Sequence, residues 1–150
     1  HEAFHIATSG RPGPVVIDIP KDVQVATAPY VRPGPIQHRT YRPRVKAEQS
    51  LVETAVDMLA AAERPILYTG GGIINSGPAA SQLLRELARI TGAPVTSTLM
   101  GLGAFPASDG QFLGMLGMHG TYEANLAMNR ADLILCLGAR FDDRVTGRLD

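Results

Sequence analysis

The residues best suited to chemistry lie in Gly138-Ala139-Arg140-Phe141-Asp142-Asp143-Arg144, where two arginines bracket two aspartates. Two guanidiniums on one loop can hold phosphate or carboxylate groups in bidentate geometry. The same residues also suit an internal ion-pair network that pins the loop. Both roles are compatible if the aspartates orient one arginine while the other meets a ligand. A second candidate is Gly70-Gly71-Gly72-Ile73-Ile74-Asn75, a glycine turn whose amides could approach a ligand closely or which could serve packing alone. It is a poor nicotinamide fingerprint, because Asn75 replaces the third glycine and no acid closes the next strand. A third stretch, from Thr98-Leu99-Met100-Gly101 to Met118-His119-Gly120, also contains Gly103, Gly110, Gly114 and Gly117. Such a backbone suits either a flexible surface loop or a lining for an extended ligand, with methionines as adaptable apolar cover. Met115-Leu116-Gly117-Met118-His119-Gly120 is too apolar to lie comfortably in water, which favours a lined groove.

Two further motifs carry less. His1-Glu2-Ala3-Phe4-His5 matches the helical zinc pattern H-E-x-x-H, but Thr8 and Arg11 stand where the extended form needs glycine and histidine. No metal site is therefore expected. Cys136 falls inside the apolar run Ala131–Leu137 and reads as a buried small hydrophobe rather than a nucleophile.

These loops need elements to position them. Pro65–Thr69, Pro94–Thr98 and Ala131–Leu137 read as near-continuous apolar strands. Between and before them lie helical stripes. Leu51, Val52, Ala55, Val56, Leu59 and Ala60 mark one helix. Leu83, Leu84, Leu87, Ala88 and Ile90 mark another, opened by Pro78 and stopped by Gly92. A short helix is expected around Tyr122–Asn129. Strand and helix in alternation predict an α/β fold, a doubly wound parallel sheet with helices on both faces. All three candidate loops then leave strand ends on one edge, where such sheets bind ligands.

Upstream the pattern differs. Seven of the prolines, from Pro12 to Pro43, crowd the early chain, and Ala28–Lys46 carries five basic residues and no acid. This predicts an extended, solvated linker at residues 26–46. Residues 1–25 then read as a helix and a strand (Val15–Ile19) from a preceding domain, and 47–150 as most of a second one. The chain opens at His1 without methionine, so a piece of a longer protein is expected.

Composition sets the outer bounds. Fourteen basic and fourteen acidic residues cancel, which argues against a nucleic-acid-binding surface spread over the chain. Hydrophobic residues make up 45% and charged ones 19% of the 150 residues, as in ordinary globular proteins. No apolar run approaches the roughly 20 residues of a membrane span, and no signal peptide opens the chain. The single cysteine excludes an internal disulfide and suits a reducing compartment.

Together these residues carry a resemblance. Ser9-Gly10-Arg11-Pro12-Gly13-Pro14-Val15 with Asp18-Ile19-Pro20-Lys21-Asp22-Val23 resembles the end of the pyrimidine-binding domain of thiamine-diphosphate enzymes. Thr98 to Gly103, Leu116 to Gly120 and Gly138 to Gly147 are similar to the acetohydroxyacid (acetolactate) synthase family, catalytic subunit. The resemblance implies a Rossmann-like central domain holding FAD in an extended pose. Its lining would comprise Arg11, Gly70, Gly71, Gly72, Asn75, Thr98, Leu99, Met100, Leu116, Gly117, Met118, His119, Gly138, Ala139, Arg140, Asp142, Arg144 and Val145. Arg144 would be the catalytic contact to the carboxylate of the second 2-oxo acid. Lys21 and Met118 would flank the substrate channel. The implied activity is decarboxylation of pyruvate and transfer of its two-carbon unit to pyruvate or 2-oxobutyrate, in branched-chain amino acid biosynthesis. Thiamine diphosphate and Mg2+ would be bound by residues outside this chain, leaving it inactive alone. A homo-oligomer, a small regulatory subunit, and a cytoplasmic or organellar location are likewise implied. The alternatives are a flavin-binding carboligase of the glyoxylate type, a non-catalytic nucleotide-binding module, and a metalloprotease fragment.

Overall fold

The computed structural model describes residues 1–36 and 38–147. The chain forms two compact units, His1–Leu51 and Val52–Asp150. In the first, α1 (Glu2–Thr8) and α2 (Lys21–Val25) are short helices. The expected strand Val15–Ile19 does not form: this segment has no regular structure and Val16 is exposed. A β-branched run becomes a strand only when a partner takes up its N–H and C=O groups, and no described segment does so here. The proline-rich segment is also less free than a solvated linker. Tyr41 Oη donates to the Ser9 carbonyl at 2.7 Å, and its ring meets the His5 ring edge-on.

Helix α3 (Gln49–Ala61) has the expected apolar stripe, yet none of its residues is buried. The second unit continues with β1 (Pro65–Thr69), α4 (Gly71–Asn75), α5 (Pro78–Thr91) and β2 (Val95–Ser97). A single 3-10 turn (Leu99–Gly101), β3 (Phe112–Met115), α6 (Tyr122–Arg130) and β4 (Leu133–Leu137) complete it. The glycine-rich stretch is therefore not one long loop. It contains a strand that the alternation rule misses, because Gly114, at φ +86°, interrupts the side-chain pattern. Val95 pairs with Phe112 and Ser97 with Met115, so β3 carries one extra residue across the same span. That is the signature of a bulge.

The four strands are all parallel in the order β3-β2-β1-β4. Parallel neighbours require long crossovers; that from β2 to β3 is a loop with a 3-10 turn, and the helices of the others cover both faces. Leu67 and Val95 pack with Leu84 and Ala88 of α5 on one face. Tyr68 packs with Ala124 of α6 and Leu116 on the other. Each large apolar side chain so buried contributes about 1.5–3 kcal/mol. Helix α5 starts with Pro78, whose missing N–H costs nothing there, and ends at Gly92 (φ +68°), whose N–H returns to the Ala88 carbonyl.

The chain steps outward from β1 to β2 and β3, then returns to the other side of β1 for β4. The order therefore reverses between β1 and β4. At the N-terminal ends of these strands, Asp132 clamps them by accepting from the N–H groups of Glu63 (2.8 Å) and Arg64 (2.9 Å). Burial works against its charge, but those two N–H groups and the Arg64 guanidinium prevail, and the carboxyl is held below its usual range. At the C-terminal ends the backbones themselves meet. A Cβ on Gly72 would lie 2.6 Å from Gly138 Cα, and one on Gly101 would lie 2.8 Å from Gly70 Cα. A Cβ on Gly70 would strike the Gly138 carbonyl.

Gly138 and Gly92 separate two effects. Both have positive φ, +66° and +68°, but a Cβ on Gly92 meets open space and one on Gly138 meets Ile73 N at 2.7 Å. Gly92→Ala is expected to cost about 1–2 kcal/mol for its left-handed conformation alone. Gly138→Ala should lose a further 1–3 kcal/mol or so from overpacking. Urea unfolding of the two variants measures the difference.

Candidate functional site

Because every strand runs the same way, four strand ends deliver their loops to one edge of the sheet. The first loop is the start of α4. It is tighter than a free glycine turn, since Gly70 N–H donates to the Leu137 carbonyl (3.0 Å) and Gly72 N–H to Gly138 (2.9 Å). Two of the three amides are thus committed to protein carbonyls, and the glycines are needed because backbone crowds them. Asn75 ends α4 in an exposed position.

After β2, Thr98 N–H continues the ladder by donating to the Thr69 carbonyl at 2.9 Å. The Thr98 hydroxyl then accepts from Gly101 N–H at 3.0 Å, closing the turn. Capping of this kind fixes where Leu99 and Met100 project. Beyond β3, buried Leu116 anchors the next loop, and Leu116 N–H donates to the Ser97 carbonyl at 3.2 Å. Gly117 (φ +96°) turns the chain, leaving Met118 and His119 exposed.

The loop after β4 is held from beneath. Tyr68 Oη donates to the Arg140 carbonyl at 2.9 Å, and the Tyr68 and Phe141 rings stand 5.2 Å apart. Asp142 is its node: Arg140 Nη2 lies 3.4 Å away, and Arg144 N–H donates to Oδ1 at 3.1 Å. Arg144 Nε is 3.8 Å from Asp143, beyond a direct hydrogen bond, and Nη1 reaches Met118 Sδ at 3.8 Å. The Arg144–Asp143 pair is exposed and Arg140 meets a half-buried Asp142 from an exposed position, where such contacts are weak. The arginines are oriented by the aspartates without being neutralised in a buried network. Ala139 and Val145 pack against the Tyr68 cluster. Thr146 Oγ1 is buried with no hydrogen-bond partner among the described residues.

The structure therefore joins the loops in a chain of contacts. Gly101 meets Gly70, Gly70 meets Gly138, and Met118 N–H donates to the Arg144 carbonyl at 3.0 Å. Leu99, Met100, Met118 and Phe141 stand 67%, 74%, 64% and 55% exposed on this edge. On this edge, then, exposed apolar side chains lie on the same loops as two guanidiniums. Arg11 and Lys21 belong to the first unit, both exposed, with Lys21 opening α2. Cys136 is half-buried rather than fully buried; burial pushes its thiol up, so it stays protonated at neutral pH. Among the described residues no three His, Cys, Asp or Glu side chains converge as a metal site. A cavity of about 360 Å3 lies at the opposite edge, lined by Arg64, Pro65, Thr91, Pro94 and Arg130. It shares no residue with these loops.

Two residues of this edge escape sequence reading. Tyr68 looks like one more apolar strand residue, although a buried hydroxyl demands a partner. Asn125, whose side chain binds the Gly117 backbone, looks like an ordinary polar residue on a helix surface.

Comparison with known proteins adds a family. Residues 52–150 match the family model "Thiamine pyrophosphate enzyme, central domain". Acetolactate synthase of Mycobacterium bovis is 52% identical over 149 residues, covering 99% of this chain and 24% of that protein. The acetolactate synthase isozyme 3 large subunit of Escherichia coli is 49% identical over 150 residues, covering 99% and 26%. The acetolactate synthase large subunit of Haemophilus influenzae is 50% identical over 151 residues, again covering 99% and 26%. The chain thus spans about a quarter of the length of these relatives.

Tyr68 offers a direct test of how the arginine loop is supported. Burial, with the charges of Cys136 and Asp142, raises its phenol to about 12 against the opposing pull of Arg140. An unfolded tyrosine titrates near 10. The folded state keeps its proton longer, so this contribution to stability is present below about pH 10 and lost as pH rises towards 12. Tyr68→Phe should cost about 1 kcal/mol at neutral pH and remove part of that alkaline loss. Urea melts at pH 7 and from pH 10 to 11.5 would check both.

Proposed function

The chain belongs to the thiamine pyrophosphate enzyme family through its central domain, and on that premise we propose that it is part of an acetolactate synthase large subunit. The whole protein would decarboxylate pyruvate and join the two-carbon unit to pyruvate or 2-oxobutyrate, in branched-chain amino acid biosynthesis. About 50% identity along 99% of the chain to proteins of that name supports this reading. Thiamine diphosphate would supply the electron sink for decarboxylation, and with Mg2+ it would be held by residues outside this chain. Assembly as a homo-oligomer with a regulatory subunit is part of the proposal. No described helix is long and apolar enough to cross a membrane.

The strand-end edge is proposed as the FAD site, with a largely structural flavin. The exposed Leu99, Met100, Met118 and Phe141 side chains beside Arg140 and Arg144 are the observation that carries it. A dinucleotide needs apolar cover for its rings and cations for its diphosphate, and it fits the edge where strand order reverses. The Thr146 hydroxyl, buried and without a hydrogen-bond partner among the described residues, is a further polar group it could engage. The glycine turn fits less directly. With the Gly70 and Gly72 amides already committed, its part is to bring β1 and β4 together rather than to cradle phosphate. Thr98, Leu116, Gly117, His119, Gly138, Ala139, Asp142 and Val145 complete the proposed lining. Arg11, Asn75 and Lys21 are kept as proposals on family likeness alone.

Arg144 is the proposed contact to the acceptor carboxylate. Asp142 and Asp143 orient its backbone and guanidinium, while its exposed end stays open to an anion. In the full-length protein supplied with pyruvate, thiamine diphosphate, Mg2+ and FAD, acetolactate is the expected product. Turnover of glyoxylate alone would favour the glyoxylate carboligase type, and no carboligation would sink the synthase assignment. Arg144→Ala should raise the KM of the acceptor acid roughly 10- to 100-fold, as for loss of a charged hydrogen bond. Decarboxylation should fall less; an equal fall in both would remove the assigned role.

A further inference from the structure

We infer that Asn125 is the positioning residue of the proposed flavin site, acting through the Gly117 peptide on Met118 and Arg144. The inference rests on the reading of this edge as the FAD site. Asn125 sits on α6, outside the four loops. Its side chain nevertheless does for Gly117 what a paired strand would do. Gly117 N–H donates to Oδ1 at 2.9 Å, and Nδ2 donates back to the Gly117 carbonyl at 3.0 Å. The remaining Nδ2 hydrogen goes to the Thr121 carbonyl at 3.0 Å. Both faces of the amide are thus used, and the direction of each bond fixes the orientation of the group.

The other side of Gly117 is closed by the arginine loop. A Cβ there would strike the Arg144 carbonyl, and Met118 N–H donates to that same carbonyl at 3.0 Å. One peptide is therefore gripped by Asn125 on one side and abuts the Arg144 backbone on the other. Helix α6 is itself fixed: Thr121 caps it by accepting from Ala124 N–H and donates to the Leu113 carbonyl at 2.6 Å. Buried Ala124 packs against Tyr68 and Leu116. Asn125 thereby transmits the rigid position of α6 to two of the side chains that the proposed site projects, Met118 and Arg144. Other elements already hold the second unit's core, so its contribution should appear in ligand binding more than in folding.

The donor and acceptor pattern supplies a test that a merely structural role would not pass. Asn125→Leu removes all three bonds. Asn125→Asp keeps the acceptor for Gly117 N–H but sets a carboxylate oxygen against the Gly117 and Thr121 carbonyls. Protonating that carboxylate restores one donor; the two facing carbonyls favour the protonated form, against the pull of the Gly117 N–H towards the charged one. FAD affinity of the full-length protein would be read by flavin fluorescence titration from pH 7.5 to 5, with thermal unfolding in parallel. Both variants should bind roughly tenfold more weakly at pH 7.5, with Asn129→Ala on the same helix as an unchanged control. Relative to the parent, Asn125→Asp should regain affinity towards pH 5 and Asn125→Leu should not. Parallel pH profiles for the two variants, or binding equal to the parent's, would overturn the inference. A parent that binds no FAD would instead overturn the site assignment itself.

Discussion

The structure depends on one close backbone approach, where the chain leaving β1 passes the chain leaving β4. Thr69 and Leu137 end level in the sheet, so their exits start a strand spacing apart, about 4.8 Å. Side chains there would force the two exits apart. Gly70, Gly72 and Gly138 let them stay in contact, and hydrogen bonds from Gly70 to Leu137 and from Gly72 to Gly138 use that proximity. Gly101 brings the turn after β2 against the same point. Three loops are thereby referenced to one another by main chain rather than by side chains. The side chains are left to face outward.

That division of labour explains the chemistry of the edge. Backbone contacts set position; Tyr68 and Asp142 set the course of the arginine loop; and Leu99, Met100, Met118, Phe141, Arg140 and Arg144 remain exposed. A pair of arginines locked into buried salt bridges would be a poor ligand site, since desolvation would already have been compensated internally. Here the pairs are long and solvated, so an incoming anion competes with little.

Much of this was legible in the residues. Strand β1 matches its predicted span, and α5 runs between the Pro78 and Gly92 signals because both act locally, through a missing donor and a permitted φ. The arginine loop was visible because charge concentrated after an apolar strand has few other uses. Most of the misses have a common cause: they depend on partners far along the chain. Val15–Ile19 has a strand's composition without a described neighbour to pair with. β3 was hidden by a glycine that belongs to a bulge with β2. The Gly70 turn suggested open amides, but which carbonyls would take them could not be read locally. Asn125 was invisible for a different reason: its partner Gly117 is near in sequence but lies across a turn whose path the residues do not reveal.

The strand order also sets how far apart in sequence its pairings lie. Strand β1 finds β2 after one helical crossover, whereas the Glu63–Asp132 clamp beside β4 closes a separation of 69 residues. Longer closures cost more chain entropy. The crevice between β1 and β4 therefore rests on the longest-range pairing of the described sheet. A ligand bound along that edge would bridge the two sides of this longest closure and stabilise the folded state through the contact that local chain segments support least.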